Sequence, residues 1–383
     1  MREHAQRLTG LGTTIFAEMS ALAARTGSVN LGQGFPDTDG PDSLLEDAIA
    51  AIRAGANQYA PGRGVPTLRQ AIVDHQKRFY GLEYDPDTEV LVTTGATEAI
   101  AAALLAYVEP GDEVIALEPY YDSYAAGIAM AGGHRVPVTL RAPDYRLDLD
   151  ELRAAVTPRT KVLLINSPHN PTGSVLTDPE LRGIAGLAIE HDLVVITDEV
   201  YEHLIYDELQ HHPLASYDGM ADRTVSISSA GKTFSVTGWK IGWITGSPSV
   251  VTAVNTAKQF LTFTSGAPFQ PAVANALALG NEYFDALRAD LQARRDLLCD
   301  GLESLGFEVH RPQGTYFVTT DVRPLGYTDG IDFCRMLPDR AGVVAIPHQV
   351  FYDNTESGRP LVRWAFCKQP HILQEALTRL TQL

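Results

Sequence analysis

Lys232 stands in the stretch Ser228-Ser229-Ala230-Gly231-Lys232-Thr233-Phe234-Ser235-Val236-Thr237-Gly238-Trp239-Lys240. A lysine framed by small hydroxylated residues and glycines, with a second cation eight positions on, suits a Schiff base with pyridoxal phosphate. The amine forms the imine, while a nearby hydroxyl and Lys240 hold the phosphate. In such an enzyme the cofactor carries the chemistry and the protein supplies orientation and electrostatics. Most lysines are solvated surface charges, so the reading needs support from the rest of the chain. Gly231-Lys232-Thr233 also has the form of the end of a Walker A loop. That loop needs a glycine five positions before Gly231, and Ser226 stands there, so the nucleotide reading fails.

Pyridoxal phosphate needs an anion near its pyridine nitrogen, donors near its phenolate oxygen, and amides, hydroxyls and a cation around its phosphate. Asp198 follows the apolar run Val194 to Thr197 and has the type and place for the anion. Glu199 competes, but adjacent residues point differently. A strand-end turn would account for Asp198 equally well. Tyr201, three residues on, and Asn170, which opens Asn170-Pro171-Thr172-Gly173, are candidate phenolate donors. The second stretch also has the composition of a plain β-turn. Gly95-Ala96-Thr97 enters a helix whose first N–H groups suit an anion. Ser229 adds a hydroxyl and Lys240 a charge. Tyr121 or Tyr120 can cover the ring face, or lie in the core.

An amino-acid substrate brings a carboxylate, which a planar guanidinium grips best. Arg363 is an isolated charge in the apolar run Leu361-Val362-Arg363-Trp364-Ala365-Phe366. A charge so placed must be paired or must await an anionic ligand. Gly32-Gln33-Gly34-Phe35-Pro36 can bring backbone amides near the same carboxylate. It is not a Rossmann fingerprint, because Asp37 stands where the third glycine belongs.

These residues need a frame. Val90–Thr94, Val114–Leu117, Val162–Ile165, Val194–Thr197 and Val225–Ser228 are short β-branched runs separated by helical patterns. Near-continuous apolar strands covered by helices predict a mostly parallel α/β sheet. In such sheets ligands gather beyond the carboxyl ends of the strands. Gly95-Ala96-Thr97, Tyr121, Asn166 to Asn170, Asp198 with Tyr201, and Ser228-Ser229 all fall there, so five separate segments converge on one rim. Asp148 with Glu151, and Thr177 with Glu180, bracket two capped helix starts. Residues 1–40 are glycine-rich and read as an irregular arm. From about Glu282 a long charged helix (Tyr283 to Leu305) leads to short strands at Phe307, Tyr316 and Leu361, which predicts a smaller α+β domain. The expected division is 1–40 as arm and part of the small domain, 41–281 as the large domain, and 282–383 as the small domain.

The 383 residues are 45% hydrophobic and 20% charged, with net charge −17 and pI about 5.0. That length can bury a large core, and the charge argues against nucleic acid and anionic membrane as partners. Cys299, Cys334 and Cys367 have no paired spacing and read as reduced thiols, which points to a cytoplasmic protein. His211-His212 beside Pro213 suggests a loop. No HExxH occurs and no metal is expected. The longest apolar run, Ala99 to Val108, is too short for a bilayer. The first residues include Glu3 and no apolar segment, so no signal peptide is expected.

With these residues assembled, the chain resembles the class I PLP-dependent aminotransferases of fold type I, essentially end to end. It is similar to the kynurenine aminotransferase / glutamine transaminase K branch and to the actinobacterial succinyldiaminopimelate aminotransferases. The telling stretches are Asn30 to Asp37, Asn57-Gln58-Tyr59, Glu118 to Asp122, Asn166 to Gly173, Thr197 to Tyr201 and the Lys232 segment. The resemblance implies a large domain with a mostly parallel seven-stranded sheet plus a smaller α+β domain. It makes Lys232 the Schiff-base lysine, Asp198 the pyridine partner, Tyr201 and Asn170 the phenolate donors and Tyr121 the stacking ring. Ala96, Thr97, Ser229 and Lys240 would bind phosphate. Family members are homodimers with shared sites, so Tyr59 would reach the neighbouring subunit's phosphate. Arg363, Asn166 and Gly34 would hold the substrate carboxylate, with Phe16 near the side-chain pocket.

The chain departs from the kynurenine enzymes at Ser265-Gly266-Ala267-Pro268, which is small where bulky residues are expected in the partner-subunit loop. A longer or more polar donor would fit. The implied reaction is a ping-pong transamination in which freed Lys232 moves the Cα proton. The donor would be N-succinyl-LL-2,6-diaminopimelate, or an amino acid of the kynurenine, glutamine or methionine type, and the acceptor 2-oxoglutarate. A cysteine-conjugate β-lyase is the alternative on the same fold. A pyridoxal-binding transcription regulator is disfavoured, because no basic helix-turn-helix segment precedes the domain.

Overall fold

The computed structural model describes residues 5–9 and 14–383; residues 1–4 and 10–13, Glu3 among them, lie outside the described residues. Thirteen strands are described: β1 Val29–Asn30, β2 Val90–Thr94, β3 Glu113–Glu118, β4 His134–Thr139, β5 Thr160–Asn166, β6 Val194–Asp198, β7 Thr224–Ser229, β8 Ile241–Thr245, β9 Glu308–His310, β10 Phe317–Asp321, β11 Val343–Val344, β12 Ile346–Pro347 and β13 Leu361–Ala365.

Seven of them form one sheet in the order β2-β8-β7-β6-β5-β3-β4. β3, β4, β5, β6 and β7 run parallel, and β8 runs antiparallel to both of its neighbours, β2 and β7. The sheet carries fold type I, as expected from the sequence. Two of its strands lack a clear sequence signal. β4 contains Pro137, which an edge strand tolerates because one side of its backbone needs no partner. β8 is a glycine-interrupted run of five residues, Ile241-Gly242-Trp243-Ile244-Thr245.

Side chains alternate between the two faces of this sheet. Val114, Val162, Ile196 and Val225 pack with the helices Gly95–Tyr107, Asp122–Ala131 and Pro248–Lys258. Ile115, Leu163 and Val195 pack on the other side with Leu181 and Ile184 of the helix Asp178–Glu190. That helix starts at a complete capping box, with Thr177 and Glu180 satisfying each other's backbone. The start at Asp148 is capped as expected, without a reciprocal box. Asp148 accepts from the amides of Asp150 and Glu151 at 2.9 and 3.1 Å, but Glu151 pairs outward with Arg141 at 2.6 Å instead of closing a box.

A second sheet, β12-β13-β10-β9, is antiparallel. Its core joins Trp364, Phe333 and Leu298 to Met19 and Ala23 from the N-terminal segment. That segment is more ordered than its glycines suggested. Ile15–Thr26 is a twelve-residue helix, capped by Thr14 and closed by Gly27 in the left-handed region, φ 63°. β1 pairs in parallel with β11, which ties Val29 and Asn30 to the C-terminal part of the chain. Cys299, Cys334 and Cys367 are buried and unpaired here. Among the described residues no helix is long and apolar enough to cross a membrane.

Candidate active site

The carboxyl ends of β2, β3, β5, β6 and β7 open on one cavity of about 410 Å³. β8 contributes because it is reversed. Its first residue, Ile241, pairs with Thr94, the last of β2, so Lys240 is delivered to the rim where the parallel strands end. Gly242 permits this crossing: a Cβ there would lie 2.6 Å from the carbonyl carbon of Gly95. Lys240 Nζ donates to Thr97 Oγ1 at 3.3 Å, and burial lowers its pKa, against the pull of Glu98. Thr94, the cap of the Gly95–Tyr107 helix, makes no side-chain capping bond. The helix N-terminus thus presents free amides beside a lysine and Ser229, a cradle for an anion.

Lys232 lies in the single helical turn Ala230–Thr233 that follows β7. Its amine donates to the Tyr316 hydroxyl at 2.7 Å and to the Gly34 carbonyl at 3.4 Å. It borders the cavity but is otherwise enclosed by protein. Burial is the main reason its pKa falls to about 8; Arg363 and Lys240 add to this, and Cys367 and Asp198 oppose it. The amine is therefore much closer to neutral near physiological pH than a surface lysine.

Asp198 ends β6 and is buried, which pushes its carboxyl pKa up, while Tyr124 and the Val200 amide hold the charged form. Tyr124 donates to Oδ2 at 2.6 Å and Val200 N–H to Oδ1 at 3.3 Å. Tyr201 faces the same space, its hydroxyl pKa driven up by burial. Asn166 Nδ2 donates to the Asp198 carbonyl at 2.7 Å, and Asn166 Oδ1 accepts from Asn170 N–H, also at 2.7 Å. One polar chain thus ties the ends of β5 and β6 to the Asn170 turn.

That chain ends on Arg363, at the centre of β13 between β10 and β12. Its guanidinium donates to Asn170 Oδ1 and to the Gly32 carbonyl, each at 3.0 Å. Its Nε is buried with no partner. The rings of Phe16, Phe317 and Phe351 surround it at 5.1, 3.9 and 5.1 Å. Burial lowers its pKa to about 10. No carboxylate bonds to it among the described residues, so the charge is held by neutral acceptors and π faces. Such a cation suits an incoming carboxylate.

Of the residues singled out from the sequence, Phe16, Gly34, Ala96, Thr97, Tyr121, Asn166, Asn170, Asp198, Tyr201, Ser229, Lys232, Lys240 and Arg363 all border this cavity. Tyr59 does not. It is 84% exposed and lies in a separate cleft with Asn57, Gln58 and the Thr264–Ala267 loop. Tyr120 turns away as well, bonding to Asp353 at 2.6 Å. Sequence reasoning missed Tyr124, whose only signal was its place three residues after Tyr121 on one helix face. It also missed Tyr316, which reads as an ordinary strand residue, and the cavity-lining Thr14, Gln33, Asp122 and Thr237.

The chemistry of the set fits pyridoxal phosphate. An amine with a lowered pKa, a buried carboxyl, hydroxyl and amide donors, and an anion cradle surround one space, and a guanidinium with an unpaired Nε adjoins it. His75, Glu202 and His203 form the one metal-compatible group among the described residues. The two imidazole Nε2 atoms are 2.7 Å apart, closer than two nitrogens can lie on one zinc ion at about 2.0–2.1 Å with tetrahedral angles. They bond to each other instead.

Comparison with known proteins follows the same direction. Residues 26–379 match the family described as aminotransferase class I and II. The chain is 56% identical over 388 aligned residues, 98% of each chain, to a protein of Mycobacterium tuberculosis named "Probable N-succinyldiaminopimelate aminotransferase DapC". The solved structure of N-succinyldiaminopimelate aminotransferase from that organism superposes with TM-score 0.97 at 56% identity, covering 99% of both chains. A methionine aminotransferase of Escherichia coli is 39% identical over 377 residues, 98% of this chain and 97% of that one. These names are of transaminases and do not favour the β-lyase alternative.

Proposed function

The chain belongs to the aminotransferase class I and II family and is a transaminase. From that premise we propose that its cavity takes pyridoxal phosphate on Lys232, N-succinyl-LL-2,6-diaminopimelate as amino donor and 2-oxoglutarate as acceptor. One observation supports this reading above the others. The Lys232 amine, the Asp198 carboxylate and the Arg363 guanidinium come from the helical turn after β7, from the end of β6 and from β13, yet they border one cavity.

Lys232 would be the attachment point, with Asp198 opposite the pyridine nitrogen and Tyr121 over the ring. Tyr201 and Asn170 would face the phenolate oxygen. Ala96, Thr97, Ser229 and Lys240 would hold the phosphate. When bound there, the cofactor supplies an electron sink for the charge left as the donor's Cα proton departs. The chain's own residues do the rest. Arg363 grips the α-carboxylate, with Asn166 and the Gly34 backbone beside it, and so orients the Cα–H bond. Tyr124 holds Asp198 in its charged form. Lys232 Nζ, its pKa lowered to about 8, takes the Cα proton and returns it, as a base whose pKa lies near the working pH should. Both half-reactions use one carboxylate seat, which makes the cycle ping-pong.

The donor assignment is supported by the 56% identical relative and by the small Ser265-Gly266-Ala267-Pro268 loop. We further propose a homodimer in which Tyr59 completes the neighbouring phosphate site. A donor screen with 2-oxoglutarate tests the function. Glutamate should form fastest, by kcat/KM, with N-succinyl-LL-2,6-diaminopimelate, and Lys232→Ala should abolish turnover. Faster turnover with methionine or kynurenine would overturn the donor, and an active Lys232→Ala protein would overturn the site.

A further inference from the structure

The amine of Lys232 has a seat that the reaction scheme alone does not call for. Its nearest partner is the hydroxyl of Tyr316, at 2.7 Å. That hydroxyl in turn donates to the Gly34 carbonyl at 2.5 Å. Its proton is therefore committed to Gly34 and its lone pairs face the lysine. The amine also reaches the same carbonyl, at 3.4 Å. Nζ lies 5.6 and 5.3 Å from the ring centroids of Tyr201 and Tyr316, and those two rings meet edge to face at 90°.

The backbone is built to allow this triangle. Position 34 must be glycine, since a Cβ there would lie 2.5 Å from Cζ of Phe317 and 3.4 Å from Cε2 of Tyr316. Tyr316 is held from the other side by its neighbour. Thr315, in the left-handed region at φ 65°, receives the Tyr206 hydroxyl on its carbonyl. The loop Gly32–Gly34 also touches the guanidinium, through Gly32 and Arg363 at 3.0 Å. One three-residue loop thus contacts both the cation that meets the substrate and the amine that moves its proton.

A lysine side chain has four rotatable bonds, and freezing them costs conformational entropy. An amine that must leave its partner, wait nearby and act as a base loses rate if it wanders. We propose that Tyr316 is a positioning residue: its hydroxyl, set by the Gly34 carbonyl, seats the Lys232 amine whenever that amine is not covalently engaged. The proposal rests on Lys232 being the attachment point. It adds a residue that meets the lysine through its hydroxyl and Tyr201 through its ring.

The experiment uses the full-length protein freed of cofactor. Acetic anhydride labels amines only in their neutral form, and peptide mass spectrometry reads each lysine against pH, with exposed Lys161 as internal reference. Wild-type Lys232 should titrate near 8 and be protected by added pyridoxal phosphate. Tyr316→Phe removes an acceptor from the ammonium form, so its midpoint should fall by about one unit, the equivalent of one charge-assisted hydrogen bond. Tyr316→Leu, which also lacks the hydroxyl but keeps an apolar side chain, should shift it in the same direction and serves as the second variant if Tyr316→Phe folds poorly. If pyridoxal phosphate fails to protect Lys232, the cofactor reading itself fails and the seat with it. If protection is normal but the midpoint in the folded variants stays at the wild-type value or rises, the seat alone is overturned.

Discussion

Tyr124 donates its hydroxyl proton to Oδ2 of Asp198 at 2.6 Å, in a buried contact between a helix and the end of β6 at the cavity wall. Burial favours the neutral carboxyl, and this bond is the strongest force opposing it. Removing the hydroxyl lets the Asp198 pKa climb further and leaves a buried oxygen unpaired. The carboxylate is then held less firmly in the charged form that a cationic partner needs. Tyr124→Phe should weaken pyridoxal phosphate affinity about tenfold, for a charged hydrogen bond of roughly 1.5 kcal/mol. An absorbance titration of the cofactor-free protein measures this, and unchanged affinity would show that Tyr124 is packing alone.

Arg363 bonds through its two terminal nitrogens and keeps Nε free. A lysine carries charge but not a planar fork. Arg363→Lys should raise the donor KM by about a hundredfold, corresponding to about 2.7 kcal/mol, while cofactor absorbance stays normal. Steady-state kinetics beside a visible spectrum separates the two. A variant that loses cofactor but keeps its KM would place the guanidinium in the wrong role.

Tyr59 and Phe260 are 84% and 83% exposed, and Phe263, half exposed, packs edge-on against Tyr59. Aromatic surface this open needs a cover. Sedimentation equilibrium should give a mass twice 41.6 kDa. Phe260→Asp should shift the chain toward monomer and lower cofactor affinity together, because Tyr59 would lose its place at the neighbouring site. A monomeric wild-type chain with full activity would sink the shared-site proposal.

Several of these relationships are legible in the sequence and others are not, for a physical reason. Lys232, Asp198, Asn170 and Tyr201 follow apolar runs within a few residues, and a strand end marks them locally. Arg363 is visible because a charge inside a continuous apolar run has no ordinary place. Tyr124 and Tyr316 carry no such mark. A tyrosine in a helix or at a strand start looks like core, and only the partner that its hydroxyl meets distinguishes it. β4 and β8 escaped for local reasons, one through a proline on the sheet edge and the other through its short glycine-broken run.

The order of residues alone nominated most of the side chains that border the cavity, because residue type and strand-end position are properties of adjacent neighbours. It also settled that a largely parallel sheet would hold them, since hydrophobic period is local. Only the tertiary structure decided that reversed β8 brings Lys240 to the helix N-terminus, that Tyr124 meets Asp198 and that Tyr316 meets Lys232. Those contacts join residues 74 and more positions apart, and chain order does not specify which distant hydroxyl will fill the last hydrogen bond of a buried charge.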